Sequence, residues 1–160
     1  MSQILLDVCG LSASYLTPFG RVQALRNVNL QVRKGKITGI VGESGCGKST
    51  LLSSIIGLLD ENTSIDAGSI NYLGLNLLEL SSTKMRALRG DQISMIFQDP
   101  LTTLNPVISI GKQMLGVQFR SSSTTAEKRQ RAVGVLDEVG ISDAEYRLDQ
   151  FPHQLSGGMC

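Results

Sequence analysis

The feature that most constrains this chain is a stretch of the form G-x-x-x-x-G-K-S at residues 42–49. An apolar run at residues 37–41 precedes it, and apolar residues at helical spacing follow it. A buried strand, a glycine-rich loop and a helix in this order turn backbone N–H groups toward phosphate oxygens, with the positive end of the helix behind them. The stretch therefore predicts a site for the phosphates of a nucleotide.

The residues of this loop have expected roles in binding. Lys48 is expected to reach the β- and γ-phosphates, the Ser49 hydroxyl to coordinate Mg²⁺, and Thr50 to make a further phosphate contact. Cys46 is either a small residue that fills the loop or a thiol made reactive by the helix N-terminus, which alkylation blocked by ATP would reveal. The motif alone does not separate kinases, GTPases, helicases and transporters. The predicted nucleotide contacts of the loop are Gly42, Glu43, Ser44, Gly45, Cys46, Gly47, Lys48, Ser49 and Thr50.

Hydrophobic patterning changes near residue 98. Before that point it predicts strands at residues 4–8, 28–32, 37–41, 69–73 and 93–97, with helices at residues 48–56 and 82–89. After it, strand signals disappear, and helices are predicted at residues 110–119, 125–139 and 144–147. Capping boxes that begin at Thr124 and Ser142 predict the starts of the last two helices.

Composition excludes several classes of function. The net charge of +1 and the scattered Lys and Arg residues argue against a nucleic-acid surface. The three cysteines form no metal spacing, which favours a reducing compartment, and His153 has no partners at ligand spacing. No signal peptide or membrane span is predicted, so a membrane role would require a partner.

A second motif, Leu155-Ser156-Gly157-Gly158, lies close to residue 160. Between the two motifs, Gln98 ends an apolar run where the helical region begins. A phosphate loop, a glutamine and Leu-Ser-Gly-Gly in this order resemble the ABC ATPase family over essentially the whole chain. The resemblance implies an α/β P-loop NTPase core with a mixed sheet at residues 1–98, and a helical subdomain at residues 99–160. It also implies that the domain is incomplete at its C-terminus.

The resemblance implies roles for residues outside the phosphate loop. Tyr15 is similar to the aromatic residue that stacks on adenine, and Phe19 is its rival for that role. Gln98 is similar to the glutamine that contacts Mg²⁺ and the attacking water and that senses the membrane partner. Lys48 and Gln98 are therefore the expected catalytic residues, and Ser49 and Gln98 the expected metal contacts.

The resemblance extends to the second motif and to a subfamily. Ser156, Gly157 and Gly158 look like the signature that caps the γ-phosphate bound to an opposite subunit. Residues 96–106 and 151–159 are similar to ATPases of oligopeptide and dipeptide importers, some of whose relatives import nickel or glutathione. This implies ATP with Mg²⁺ as cofactors, and a second ATP-binding subunit as partner, identical or paralogous. It also implies two membrane-spanning permease subunits and a periplasmic solute-binding protein, with a peripheral location on the cytoplasmic face of the inner membrane.

The family pattern places further catalytic residues after the signature. These residues include an apolar strand that ends in Asp and is followed by a catalytic Glu, and residues 133–138, Val-Gly-Val-Leu-Asp-Glu, superficially resemble that strand. They precede the signature and have helical spacing, so Asp137 and Glu138 are predicted to be helix-surface charges. Because residues 37–41 would lack neighbouring strands, we expect the 160-residue chain to be marginally stable or to aggregate. The leading function is the ATP-binding subunit of an importer; the alternatives are a truncated, inactive protein and a soluble ABC ATPase.

Overall fold

A computed structural model of the chain describes residues 3–99 and 103–160. The chain divides into two units, Met1–Met95 and Ile96–Cys160. The boundary expected between residues 98 and 99 stays a prediction. Residues 100–102, which belong to the importer-like stretch, lie outside the described residues. Within the described ranges, no helix has the length and apolar character needed to cross a membrane.

An antiparallel sheet forms most of the first unit. Its strands are β1 (Ile4–Thr17), β2 (Gly20–Arg33), β3 (Thr63–Tyr72) and β4 (Leu75–Asn76), in the order β2-β1-β3-β4. The strands predicted at residues 4–8, 28–32 and 69–73 are confirmed. The first extends further toward the C-terminus, the second extends at both ends, and the third starts earlier and ends at Tyr72. β1 pairs with both β2 and β3, which places its residues at the centre of the sheet.

Helix α1 (Lys48–Ile56) packs on this sheet through one apolar side. Leu51 and Ile55 join a buried cluster with residues of the three long strands. Gly57 ends the helix in the left-handed conformation, at φ 66°, directly after the predicted helix at residues 48–56. Helix α2 (Ser82–Leu88) adds Met85 to the same cluster. The predicted helices at residues 48–56 and 82–89 are thus confirmed, the second to within one residue.

Two predicted strands are absent from the described chain. Residues 37–41 and 94–97 form no strand, and Ile93 makes only one isolated bridge, with Arg89. Ile37 and Ile96 are 102% and 96% exposed. An apolar run of this kind becomes a strand only between neighbouring strands that satisfy its backbone and cover both faces. The described strands are all antiparallel and none pairs with these segments, so these two predicted strands are not formed.

The second unit is helical, as predicted. It contains α3 (Ile110–Gly116), α4 (Thr125–Glu138) and α5 (Ala144–Arg147). Its buried cluster consists of Ile110, Ala132, Leu136, Ala144 and Leu148. The helix predicted at residues 125–139 is confirmed to within one residue, and Gly140 follows it with φ 78° and an N–H that donates to the carbonyl of Asp137.

Local signals at the helix starts had different outcomes. The box at Thr124 is formed: the Thr124 hydroxyl accepts from the Glu127 N–H, and the Glu127 carboxylate accepts from the Thr124 N–H. The prediction of a capping box at Ser142 is wrong. Asp143 takes the N-cap position, at φ 55°, and its side chain makes no capping hydrogen bond. Asp137 and Glu138 are exposed on α4, as predicted.

Candidate functional site

The glycine-rich loop joins residues 37–41 to the first turn of α1. Gly45 and Gly47 have φ values of 80° and 95°, which favour glycine over residues with a side chain. A Cβ on Gly47 would lie 2.7 Å from the backbone oxygen of Ala24 on β2. Glycine at position 47 therefore allows both the turn of the loop and the close approach of α1 to the sheet.

Lys48 folds back over the loop. Its Nζ donates to the carbonyl oxygens of Gly42 at 2.8 Å and Glu43 at 2.6 Å. Among the described residues, no carboxylate lies within ion-pair distance of this ammonium group. The loop thus encloses a positive charge whose described oxygen partners are neutral carbonyls, and such a charge can attract the oxygens of a phosphate.

The N-terminus of α1 adds a second attraction for an anion. Gly47 is its N-cap and supplies no side-chain acceptor, and the first turn contains no acidic residue. The first N–H groups of a helix have no partner within the helix, and the helix dipole places partial positive charge there. The Ser49 side chain is exposed in this turn, so its hydroxyl is open to a ligand of the loop. These features fit a nucleotide phosphate, and an exposed hydroxyl beside it is a donor that suits Mg²⁺.

Tyr15 reaches the first turn of α1 from the middle strand of the sheet. Its hydroxyl lies 2.9 Å from Oγ1 of Thr50, which is 7% exposed. Phe19, in the turn between β1 and β2, is fully exposed. The structure therefore brings Tyr15, and not Phe19, to the helix that follows the phosphate loop. The stacking of Tyr15 on adenine stays a prediction.

Cys46 is exposed within the loop. Its Sγ lies 3.5 Å from Lys48 Nζ, and a Cβ on Gly42 would be 2.7 Å from the same sulfur. The side chain thus fills space against Gly42 and also lies near a cation. Both interpretations of Cys46 stay open.

The other predicted site residues belong to the second unit. Gln98 lies at an exposed bend. Ser156, Gly157 and Gly158 are exposed, and the carbonyl of Ser156 accepts from the N–H groups of Met159 and Cys160, at 3.0 and 3.2 Å, as in a first helical turn. Within the described ranges, no group of His, Cys, Asp and Glu residues could hold a metal ion. The roles of Gln98 and of the signature stay predictions.

One residue near the loop helix was missed by sequence reasoning. Arg89 follows α2 and reaches the C-terminal end of α1, where its Nε donates to the carbonyl of Ile56 at 2.7 Å. A second nitrogen of the guanidinium, Nη2, donates to the carbonyl of Gly57. No motif marks this contact, because its partners lie more than 30 positions apart in the chain.

A phosphate loop before a helix that packs on a sheet, with a separate helical unit after it, defines a nucleotide-binding ATPase cassette. The family described as ABC transporter matches residues 25–160. The chain therefore belongs to the ABC transporter ATP-binding family.

Curated relatives give a narrower comparison. The dipeptide transport ATP-binding protein DppD of Lactococcus lactis subsp. cremoris is 41% identical over 156 residues, which are 96% of this chain and 45% of the relative. The oligopeptide transport ATP-binding protein OppD of Bacillus subtilis is 44% identical over 157 residues, which are 97% of this chain and 44% of the relative. The chain thus spans about half the length of the curated relatives it matches.

Solved structures confirm the α/β fold class. The ATP-binding cassette MJ0796, solved as a dimer in a post-hydrolysis state bound to ADP and Pi, is 26% identical with a TM-score of 0.82. That match covers 97% of this chain and 65% of MJ0796. The cassette cbiO1 from Clostridium perfringens is 27% identical with a TM-score of 0.70, covering 97% of this chain and 57% of cbiO1.

Proposed function

We propose that this chain is part of an ATP-binding subunit that couples ATP binding and hydrolysis to the import of a peptide-like solute. The observation that carries the proposal is the Lys48 ammonium, enclosed by the loop at 2.8 and 2.6 Å from two carbonyl oxygens, beside a helix N-terminus without an acidic residue. The names of relatives such as the dipeptide and oligopeptide transport proteins support the solute class.

The residues of the loop and its neighbours contact different parts of the nucleotide. Lys48 neutralises charge on the terminal phosphates, and the N–H groups of the loop and of the first turn of α1 donate to phosphate oxygens. Thr50 adds a phosphate contact, and Tyr15, beside it, carries an aromatic ring for adenine. Bound Mg²⁺ would neutralise phosphate charge, and Ser49 and Gln98 would be its contacts. Gln98 also orients the attacking water, and Lys48 stabilises negative charge that develops on the phosphoryl group.

The proposal includes an assembly. A second ATP-binding subunit supplies the signature residues Ser156, Gly157 and Gly158 to the nucleotide held by the loop of the first subunit, and the dimeric MJ0796 cassette supports pairing of this kind. Two permease subunits span the membrane, and a periplasmic solute-binding protein delivers the solute. The ATP-binding subunits lie at the cytoplasmic face of the inner membrane, and the boundary between nucleotide-binding core and helical subdomain falls at residues 98 and 99.

The first test is a titration of the purified chain with a trinitrophenyl ATP analogue (TNP-ATP) in Mg²⁺. We expect saturable binding that Lys48→Ala weakens by about ten- to a hundredfold, because a charge-assisted hydrogen bond is lost. Lys36→Ala is the matched control, because Lys36 is exposed in the turn after β2. Circular dichroism confirms that each variant is folded. Equal affinity of Lys48→Ala and the unaltered chain would refute the nucleotide site.

A further inference from the structure

Helix α1 is held at both ends by single side chains from other elements. At its first turn, Thr50 shares a hydrogen bond with Tyr15 of β1. At its last turn, Ile56 and Gly57 offer carbonyl oxygens to Arg89. The two contacts fix two separate points on the axis of a nine-residue helix. Its direction therefore depends on both contacts as well as on the apolar packing of one side.

The C-terminal contact satisfies carbonyl groups that the helix itself leaves unpaired. The N–H groups of Gly57 and Leu58 already donate to Ser54 and Ser53, at 3.2 and 2.9 Å. The carbonyls of Ile56 and Gly57, which follow these, lie beyond the reach of the helix's own N–H groups, and the helix dipole places partial negative charge there. The guanidinium of Arg89 supplies two donors and a full positive charge at this point.

Arg89 is itself held in place. Its N–H donates to the Met85 carbonyl at 3.1 Å, and the next residue, Gly90, donates to the Ile93 carbonyl at 2.9 Å. Its side chain is half-buried and makes no ion pair with a carboxylate of the described residues. A Cβ on Gly57 would lie 2.9 Å from Arg89 Nη2, so the glycine at the helix end also leaves room for the guanidinium.

We propose that Arg89 is a positioning residue for the phosphate loop, acting through α1. The inference rests on the proposed function, because it assigns Arg89 to the same nucleotide site. A nine-residue helix is about 13 Å long, and tilting it by about 10° around its centre moves each end by about 1 Å. A shift of this size at the N-terminus would misalign Lys48 and the first N–H groups relative to phosphate, because hydrogen bonds tolerate little displacement.

The effect of Arg89 should depend on the number of phosphates in the ligand. Loss of the C-terminal contact displaces the end of α1 that binds the β- and γ-phosphates, while contacts to the base are made through Tyr15. A role limited to overall stability would instead weaken every ligand by the same factor. The ratio of affinities for a triphosphate and a monophosphate therefore separates positioning from stability.

The test compares dissociation constants for TNP-ATP and TNP-AMP in Mg²⁺, below the melting temperature of each variant. We expect Arg89→Met to weaken TNP-ATP binding by about tenfold, within the range of a cation at a partly buried helix C-terminus. Binding of TNP-AMP should stay within a factor of about two, because it lacks the β- and γ-phosphates that Lys48 is proposed to bind. Arg89→Lys keeps one charged donor and should recover part of the affinity for TNP-ATP.

Arg26→Met is the matched control, because Arg26 is exposed on β2 and hydrogen-bonds Gln23 of the same strand. Unchanged TNP-ATP affinity in Arg89→Met, or an equal loss for both ligands, would overturn the inference. If Arg89→Met does not fold, Arg89→Lys decides by the same ratio. Loss of binding in Lys48→Ala tests the proposed function separately, so Arg89 can prove irrelevant while the nucleotide site stands.

Discussion

Asp66 on β3 connects β1, β2 and β3 through hydrogen bonds and an ion pair. The hydroxyl of Ser14 on β1 donates to its carboxylate, and the Ser64 hydroxyl does so at 3.1 Å. Arg21 of β2 forms an ion pair with the same carboxylate at 2.8 Å. The hydrogen bond from Ser14 is the largest cause that holds the pKa of Asp66 below its ordinary value. The hydrogen bond from Ser64 and the positive charge of Arg21 lower it further.

This pKa shift predicts how stability changes with pH. Because the pKa of Asp66 is lower in the folded state, its contribution is complete above the unfolded-state pKa of about 3.9. The contribution is lost as the pH falls through the folded-state pKa. Ser14→Ala removes the largest cause of the shift, so we expect a smaller difference in unfolding free energy between pH 7 and pH 3. Urea unfolding at the two pH values measures that difference.

Ser12→Ala provides the control for the Ser14 variant. The Ser12 hydroxyl lies on the same strand but accepts from the N–H of Asn27 instead of donating to a carboxylate. Its replacement should leave the pH dependence unchanged, even if the free energy of unfolding falls. An identical pH dependence in Ser14→Ala and the unaltered chain would show that Asp66 does not link β1 to acid stability.

At the scale of single elements, α4 is stabilised at its start by the capping box of Thr124 and Glu127. The Thr124 hydroxyl and the Glu127 carboxylate each satisfy a backbone N–H group that the helix leaves free. Thr124→Ala should destabilise the chain by about 1 kcal/mol, the usual cost of losing an N-cap. Thermal or urea unfolding measures the change.

The neighbouring residue is a matched control for this prediction. Thr125 is exposed at the first helical position and makes no side-chain cap, so Thr125→Ala should change stability by less than about 0.5 kcal/mol. Equal destabilisation by the two alanine variants would contradict the role of the capping box.

The elements differ in how far the sequence predicts them. α4 was predictable because its cap, its apolar positions Ala132 and Leu136 and its terminal Gly140 are all local signals. Residues 37–41 also have a local signal for a strand. That signal was insufficient, because a strand of this type exists only when other strands pair with it.

The candidate site shows the same division. The loop at residues 42–49 was predictable because adjacent residues carry its chemistry. The contacts of Tyr15 with Thr50 and of Arg89 with Ile56 span 35 and 33 positions. Sequence spacing does not indicate which polar side chains meet over such distances. Only a three-dimensional structure reveals the contacts at the two ends of α1.

At the scale of the whole molecule, exposed apolar residues outside the sheet are the main feature. Ile37, Val41 and Ile96 are each at least 96% exposed, and they belong to the segments in which predicted strands do not form. Extended apolar segments with unpaired backbone groups are sites at which chains associate. We therefore predict that aggregation of this chain begins at the segments that contain these residues.

Substitution of these segments tests that location. Replacing Ile37 and Ile96 with lysine should lower light scattering and increase the monomer fraction in size-exclusion chromatography, because charge opposes association of extended segments. Phe19→Lys is the control, since Phe19 is equally exposed but lies in a turn between paired strands. Unchanged association in the double variant, or an equal improvement in Phe19→Lys, would assign aggregation to another surface.

The contacts of Lys48 also bear on the cost of binding. The Lys48 ammonium group donates to the carbonyls of Gly42 and Glu43, so the loop already folds around this charge. An incoming anion then exchanges one set of oxygen acceptors for another, and little backbone freedom remains to be lost at that moment. Affinity at such a loop is governed by the competition between carbonyl and phosphate oxygens for one ammonium group, rather than by the entropy of ordering a flexible chain.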